Sequence, residues 1–242
     1  MAAGLFITGT DTGVGKTAVT AGLAMWLTSL GIPVGVMKPI QTGCIHRRGR
    51  LIPLDSLFLM STAGVRDDLD LVTPYRFGPP VAPLVASELS GRPIRMSRIM
   101  EAYQKLSADH PVMLVEGIGG LLVPITEKAT VLDLVLMLNL PVLVVATTAL
   151  GTINHTRLTV RCAQQAGIRV AGVVLNHPKG RTMTTAERTA SKTVSRLIDV
   201  PLIGVLPHVA GLDVEAGKPG KLRLCFEKLG PGLRILRQEL AV

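Results

Sequence analysis

Of 242 residues, 48% are apolar and 18% charged, a balance that supports a sizeable core and excludes a disordered chain. The formal charge of +9 admits a nucleic-acid surface, a basic membrane-facing patch or a site for small anions. Aromatic residues make up only 3%, too few for base-stacking platforms. The basic residues are dispersed apart from His46-Arg47-Arg48 with Arg50, and Lys179 with Arg181, so neither nucleic acid nor membrane is expected as a partner.

In chain order, the apolar run GLFITGT opens a strand and is followed by a helical stretch from Lys16 to Leu30, closed by Gly31. A second strand, VGVMKP, precedes helical patterns at Leu54 to Ala63 and Met96 to Leu106; a third, VMLVEG, comes next. Val131 to Leu150 approaches membrane-spanning length, but Asp133, Asn139 and Pro141 interrupt it. It reads as a short buried helix, an Asn-Leu-Pro turn and the strand VLVVATT. A helix from Thr152 to Ala166, the strand VAGVVLN, a helix from Thr184 to Ile198 and the strand LIGVLP follow. After Leu212 only a short helix near Leu233 to Leu240 is suggested. Continuous apolar strands alternating with helices imply an α/β fold, a doubly wound, mostly parallel sheet flanked by helices. With no composition break or repeat, residues 1–242 read as one domain. Cys44, Cys162 and Cys225 are too few and too scattered for a disulfide framework or a zinc site. MAAG leads straight into LFIT without a basic flank or cleavage site, and a reducing cytoplasmic location is expected.

The chemistry-bearing residues fall at strand ends, where parallel sheets collect ligands. TGTDTGVGKT, residues 8 to 17, resembles a phosphate loop, although the general spacing of glycine, four residues and Gly-Lys-Thr puts Thr10 where glycine is wanted, with Gly9 one place too far. Its context of strand, glycine-rich loop and helix is what phosphate binding needs: backbone N–H groups for the oxygens, Lys16 for their charge and the Thr17 hydroxyl for Mg²⁺. In VMKPIQTG, Lys38 would approach the γ-phosphate if its strand neighbours the first; otherwise it is a surface lysine. In VMLVEGIGG, Glu116 emerges from apolar residues and wants either a Mg²⁺ ion or an arginine to pair with. Asp55 would cap a helix or reach the same ion. In TTALGTINH, the helix start at Gly151, Thr152 and Asn154 would bind a carboxylate or serve as an ordinary cap.

Taken in order, TGTDTGVGKT, VMKPIQTG, VTPYRFGPPVAP, LVEGIGGLLVPI, LGTINH and VVLNH resemble the dethiobiotin synthetase family from about Leu5 to Pro207. The family's phosphate loops carry the same extra residue. The resemblance implies a P-loop NTPase-like fold and a homodimer that uses ATP and Mg²⁺ to close the ureido ring of dethiobiotin from 7,8-diaminopelargonate and CO₂. It places Gly13, Val14, Gly15, Lys16, Thr17 and Ala18 around the phosphates, and Thr17, Asp55 and Glu116 around Mg²⁺. Lys38, with Lys16, is the implied catalytic lysine. Thr42 would contact the diamine, and Gly117, Ile118 and Gly119 would offer backbone to nucleotide and substrate. Asn176 with His177, and Pro207, His208 and Val209, would flank the base. Gly151, Thr152, Ile153 and Asn154 would receive the diamine's carboxylate across the dimer interface. Three positions depart from or vary within the family pattern: Gly13 where glutamate is frequent, His177 where aspartate is familiar, and His208 in place of an aromatic. The match is weak over Ile45 to Leu54 and after Leu212. Two rival readings are a P-loop switch ATPase of the partitioning or metal-delivery type, and a nucleotide-binding module without turnover.

Overall fold

The computed structural model describes residues 3–178, 180 and 182–241; Lys179 and Arg181 of the second basic cluster lie outside the described residues. β1 (Ala3–Gly9) passes through the glycine loop into α1 (Lys16–Ser29), and β2 (Val34–Met37) is followed by the short β3 (Ile40–Gln41). A small hairpin, β4 (Ile45–Arg47) and β5 (Arg50–Ile52), leads to α2 (Leu54–Ala63), α3 (Leu69–Val72), β6 (Tyr75–Arg76), α4 (Pro83–Ser90) and α5 (Met96–Asp109). Then come β7 (Val112–Glu116), the hairpin of β8 (Pro124–Thr126) and β9 (Ala129–Thr130), α6 (Val131–Leu138) and β10 (Val142–Thr147). α7 (Thr152–Gln165), β11 (Val170–Asn176), α8 (Thr185–Leu197), β12 (Leu202–Leu206), α9 (Leu222–Glu227) and α10 (Pro231–Glu239) complete the chain.

Six strands form one parallel sheet in the order β12-β11-β10-β1-β7-β2. The chain runs from β1 outward to β2, returns to β7, then crosses to β10 and proceeds to the opposite edge. The order therefore reverses around β1, and the crevice beyond its carboxyl end is where such a sheet binds ligands. Strand alternation feeds two apolar layers. Leu5 and Ile7 of β1, with Leu114 of β7, pack under α1, α2, α9 and α10, whereas Phe6 and Val115 face the layer under α5 to α8. Both faces are covered, which is why the strands read as continuous apolar runs. The suspected membrane-length stretch divides as expected: Asn139 takes the left-handed conformation that ends α6, and β10 follows. No helix among the described residues is long and apolar enough to cross a membrane.

Two features go beyond the sequence reading. The tail beyond Leu212, which the sequence left unplaced apart from a short helix near Leu233 to Leu240, joins the core: Leu222, Phe226, Leu233, Leu236 and Leu240 are buried in the layer shared with α1. The approach of α9 requires Gly22, where a Cβ would stand 2.5 Å from the Phe226 ring. In addition, β2 is an edge strand separated from β1 by β7, so Lys38 does not issue from a neighbour of the phosphate-loop strand.

Candidate active site

β1 ends at Gly9, and the chain turns through Gly13 (φ 74°) and Gly15 (φ 97°) before α1 begins at Lys16. These left-handed conformations explain the glycines, since L side chains rarely adopt them. The first turn of any helix leaves N–H groups without internal acceptors, so the loop and the start of α1 present donors suited to phosphate oxygens. Lys16 folds back over the loop, its Nζ donating to the Asp11 carbonyl at 3.0 Å. The fold fits tightly: a Cβ at Gly9 would lie 2.8 Å from that Nζ. Burial lowers the Lys16 pKa to about 8; the Glu116 carboxylate opposes the shift and the Lys38 ammonium adds to it.

Glu116, at the end of β7, is 1% exposed. Its Oε1 accepts from Thr17 Oγ1 at 2.8 Å and from Lys38 Nζ at 2.7 Å. Lys38 also pairs with Asp55 Oδ2. β7 thus carries across to the phosphate loop what β2 does not reach directly, and the lysine is buried, at 6% exposure, rather than a surface cap. Burial alone would lower the Lys38 pKa, but Glu116 and Asp55 together raise it above the ordinary lysine value, keeping it charged. The basic partner of Glu116 is therefore a lysine, not an arginine. Asp55 lies in the first turn of α2, behind Pro53 at the cap position, and pairs one carboxylate oxygen, Oδ2, with Lys38.

A cleft of about 350 Å³ is lined by Gly13, Gly15, Lys16, Thr17 and Ala18 on one side and by Lys38, Thr42, Asp55 and Glu116 on the other. Gly117, Ile118 and Gly119 also line it; Gly117 N–H is committed to the Ile7 carbonyl at 2.9 Å. Val214 and Glu215 reach the same cleft from the tail. Sequence reading left them out, although Asp213 signalled a turn there: its Oδ1 accepts from Ala216 N at 2.9 Å.

Thr17, Asp55 and Glu116 converge as a hard-oxygen donor set, and Glu116 Oε2 is buried without a partner among the described residues. No group of three or more His, Cys, Asp or Glu side chains that could hold a metal occurs among the described residues. A cation here would take two carboxylates, a hydroxyl and non-protein oxygens, the pattern Mg²⁺ adopts beside phosphates. The donor set fits.

The remaining expected residues form two groups outside this cleft. Asn176 Nδ2 donates to the Val14 carbonyl at 3.0 Å, on the back of the phosphate loop, and His177 N–H donates to Leu206 O at 2.8 Å. The His177 ring shares a hydrogen bond with Thr148 Oγ1 at 2.9 Å. Pro207 and His208 are exposed at the end of β12, His208 Nδ1 lying 2.8 Å from Pro178 O, and Val209 is buried in the core. Gly151, Ile153 and Asn154, with Thr152 buried beside Thr156, begin α7 on a separate open groove. One chain does not bring them to Lys38.

The reversal of strand order at β1, the glycine loop with its lysine and the buried Glu116 carboxylate define a P-loop NTPase. A family model described as an AAA domain matches residues 3–216. The MinC:MinD cell division protein complex of Aquifex aeolicus aligns with a TM-score of 0.61 at 18% identity, covering 97% of this chain and 96% of that one. MinD of Pyrococcus horikoshii, complexed with Mg-ADP, gives a TM-score of 0.57 at 18% identity, covering 95% and 94%. At that identity the likeness concerns the fold alone. Among curated relatives, the ATP-dependent dethiobiotin synthetase of Thermodesulfovibrio yellowstonii is 40% identical over 89% of this chain and 92% of its own. That of Anaeromyxobacter dehalogenans is 47% identical over 72% and 76%, and that of Bacillus licheniformis 40% over 85% and 86%. The chain belongs to the ATP-dependent dethiobiotin synthetases, ligases of biotin synthesis.

Proposed function

We propose that ring closure takes place in the cleft between the phosphate loop and Lys38, and that the observation carrying this reading is the Lys38 ammonium held between Asp55 and Glu116, with Thr17 on the same carboxylate oxygen as the lysine. One amine of 7,8-diaminopelargonate adds to CO₂ and loses a proton, giving a carbamate. A carbamate oxygen attacks the γ-phosphorus of ATP, releasing ADP and forming a carbamic-phosphoric anhydride. The second amine attacks its carbonyl carbon; phosphate leaves with the oxygen that joined carbon to phosphorus, and the amine's proton passes to solvent.

Little of this demands covalent help from the protein. Positioning and charge neutralisation carry it. Lys16 neutralises the β- and γ-phosphate oxygens from the loop side. Lys38, charged and buried, holds the carbamate oxygen toward phosphorus as a compact cation. Thr17, Asp55 and Glu116 would hold Mg²⁺, which would supply positive charge against the charge developing on the phosphates. Asn176 and His177, with the loop from Pro207 through His208 to Val209, flank the base. Thr42 meets the diamine.

The groove at the start of α7 calls for a second copy of the chain. Leu150 is 91% exposed, Leu122 68% and Leu158 60%, and Leu122 and Leu158 line one groove beside Asp11 and Thr12 of the phosphate loop. A homodimer covering these side chains would bring Gly151, Thr152, Ile153 and Asn154 to the partner's cleft, where the helix start receives the diamine's carboxylate. The chain works as one domain, in the cytoplasm. The test is to supply diaminopelargonate, bicarbonate, Mg²⁺ and ATP and look for dethiobiotin by mass spectrometry. Product is expected only when all four are present. A folded protein that hydrolyses ATP without the diamine, and forms no dethiobiotin, would be a switch ATPase instead.

A further inference from the structure

The hairpin of β4 and β5 carries arginines at locally unfavourable positions. Arg47 and Arg50 are direct cross-strand partners, a like-charge pairing that destabilises a two-stranded ribbon. Between them, Arg48 sits in the left-handed region at φ 50°, beside Gly49 at φ 75°, where a glycine or asparagine would cost less. Residues 45–50 are all exposed. Among the described residues, no hydrogen bond or ion pair engages these guanidinium groups. Three cations are therefore gathered at one tip against local preference, which calls for something outside the chain to meet them.

The tip is tethered to the active cleft at both ends, since Thr42 precedes the hairpin, Asp55 follows it, and both line the cleft. The cleft itself does not supply the field that draws in a polyanion. Its ammonium groups, Lys16 and Lys38, face three carboxylates, Asp55, Glu116 and Glu215. Strands of this length carry the tip about 10 Å beyond the hairpin's base. That is comparable to a Debye length of about 8 Å at physiological salt.

We propose that the β4–β5 hairpin is an electrostatic arm that draws the polyphosphate of the nucleotide toward the cleft, with Arg47, Arg48 and Arg50 as positioning residues that speed association. The inference rests on the nucleotide reading of the cleft. Charge on the surface beside a cleft steers an oppositely charged ligand, and such steering raises on-rates by about 10-fold or more. The arm acts before the phosphates settle on Lys16, so it changes the association rate and its salt dependence rather than the chemical step.

The experiment is stopped-flow binding of Mg²⁺ and N-methylanthraniloyl-ATP to the full chain at low and high salt. One variant is R47Q/R48N/R50Q, asparagine being chosen because it accepts a positive φ. A control, K105Q/K192Q/K228Q, removes the same charge elsewhere on the surface. The hairpin variant is expected to associate about tenfold more slowly at low salt, with dissociation and kcat unchanged and the difference gone near 0.5 M salt, where screening is nearly complete. Equal on-rates and salt slopes for wild type and hairpin variant would overturn the proposal, as would an equal slowing of the control. No binding to the wild type would instead remove the nucleotide site, and the arm with it.

Discussion

The phosphate loop contains two left-handed glycines that differ in one respect, their surroundings, and that difference can be measured. A Cβ at Gly15 would stand 2.0 Å from Asn176 Nδ2 and 3.0 Å from its Cγ, whereas a Cβ at Gly13 meets nothing within 4 Å. Gly13→Ala therefore incurs only the backbone penalty of about 1–2 kcal/mol for an L residue in this region. Gly15→Ala incurs the same penalty and must also push the carboxamide back to ordinary contact, breaking its hydrogen bond to Val14 O, worth about 1 kcal/mol. The total of about 2–3 kcal/mol would lower Tm by about 5–10 °C in a chain of this size. Because Asn176 is the residue displaced, the KM for ATP should rise by more than about tenfold in Gly15→Ala, the loss expected when one recognition group is mispositioned, and change little in Gly13→Ala. Thermal melts and ATP saturation curves on the two variants decide the matter. Indistinguishable Tm and KM values would refute the coupling between the phosphate loop and Asn176.

Lys38→Ala should lower kcat by at least about 100-fold, as removal of one charge-stabilising donor does, and should leave Asp55 and Glu116 facing each other; a variant retaining a tenth of the wild-type kcat would contradict its placement. Glu116→Gln should raise the Mg²⁺ concentration needed for half-maximal activity by at least about tenfold, read from metal titrations of product formation. Burial lowers the Lys16 pKa from 10.5 to about 8, so between those values the unfolded chain binds more protons than the folded one. Stability of the free enzyme from this group thus rises with pH across that window, by up to about 3 kcal/mol; urea titrations of wild type minus Lys16→Met should show the rise. The kcat/KM for ATP should fall over the same range as the amine loses its charge. Leu158→Asp should shift the protein to monomer in analytical ultracentrifugation and abolish turnover.

The sheet was legible because its strands are covered on both faces and read as unbroken apolar runs, and Gly31 marked a helix end. The small pairs β3–β6 and β8–β9 were not, being too short to show a period. α9, six residues from Leu222 to Glu227, is too short to show a helical period; α10, Pro231–Glu239, overlaps the helix expected near Leu233 to Leu240, but the approach of the two to Gly22 and Ile203 is seen only in the folded chain. At the site, Lys16, Thr17 and Glu116 followed from motif and strand-end position. The sequence gives no distance between β2 and β1, so the route from Lys38 to the phosphate loop through Glu116 could be seen only in the folded chain. Glu215 was hidden for a related reason: it comes from a segment with weak family resemblance, and the tight turn at Asp213 to Lys218 brings it to the cleft.

Ring closure by the proposed route requires a carbamate oxygen to receive the γ-phosphoryl group. Enzyme, diaminopelargonate, Mg²⁺ and ATP can be mixed with ¹⁸O-labelled bicarbonate and quenched before its oxygens exchange with solvent. Mass spectrometry of the released phosphate should then find one ¹⁸O per dethiobiotin formed. Unlabelled phosphate accompanying labelled dethiobiotin would mean that ATP is cleaved by water and that no carbamic-phosphoric anhydride forms.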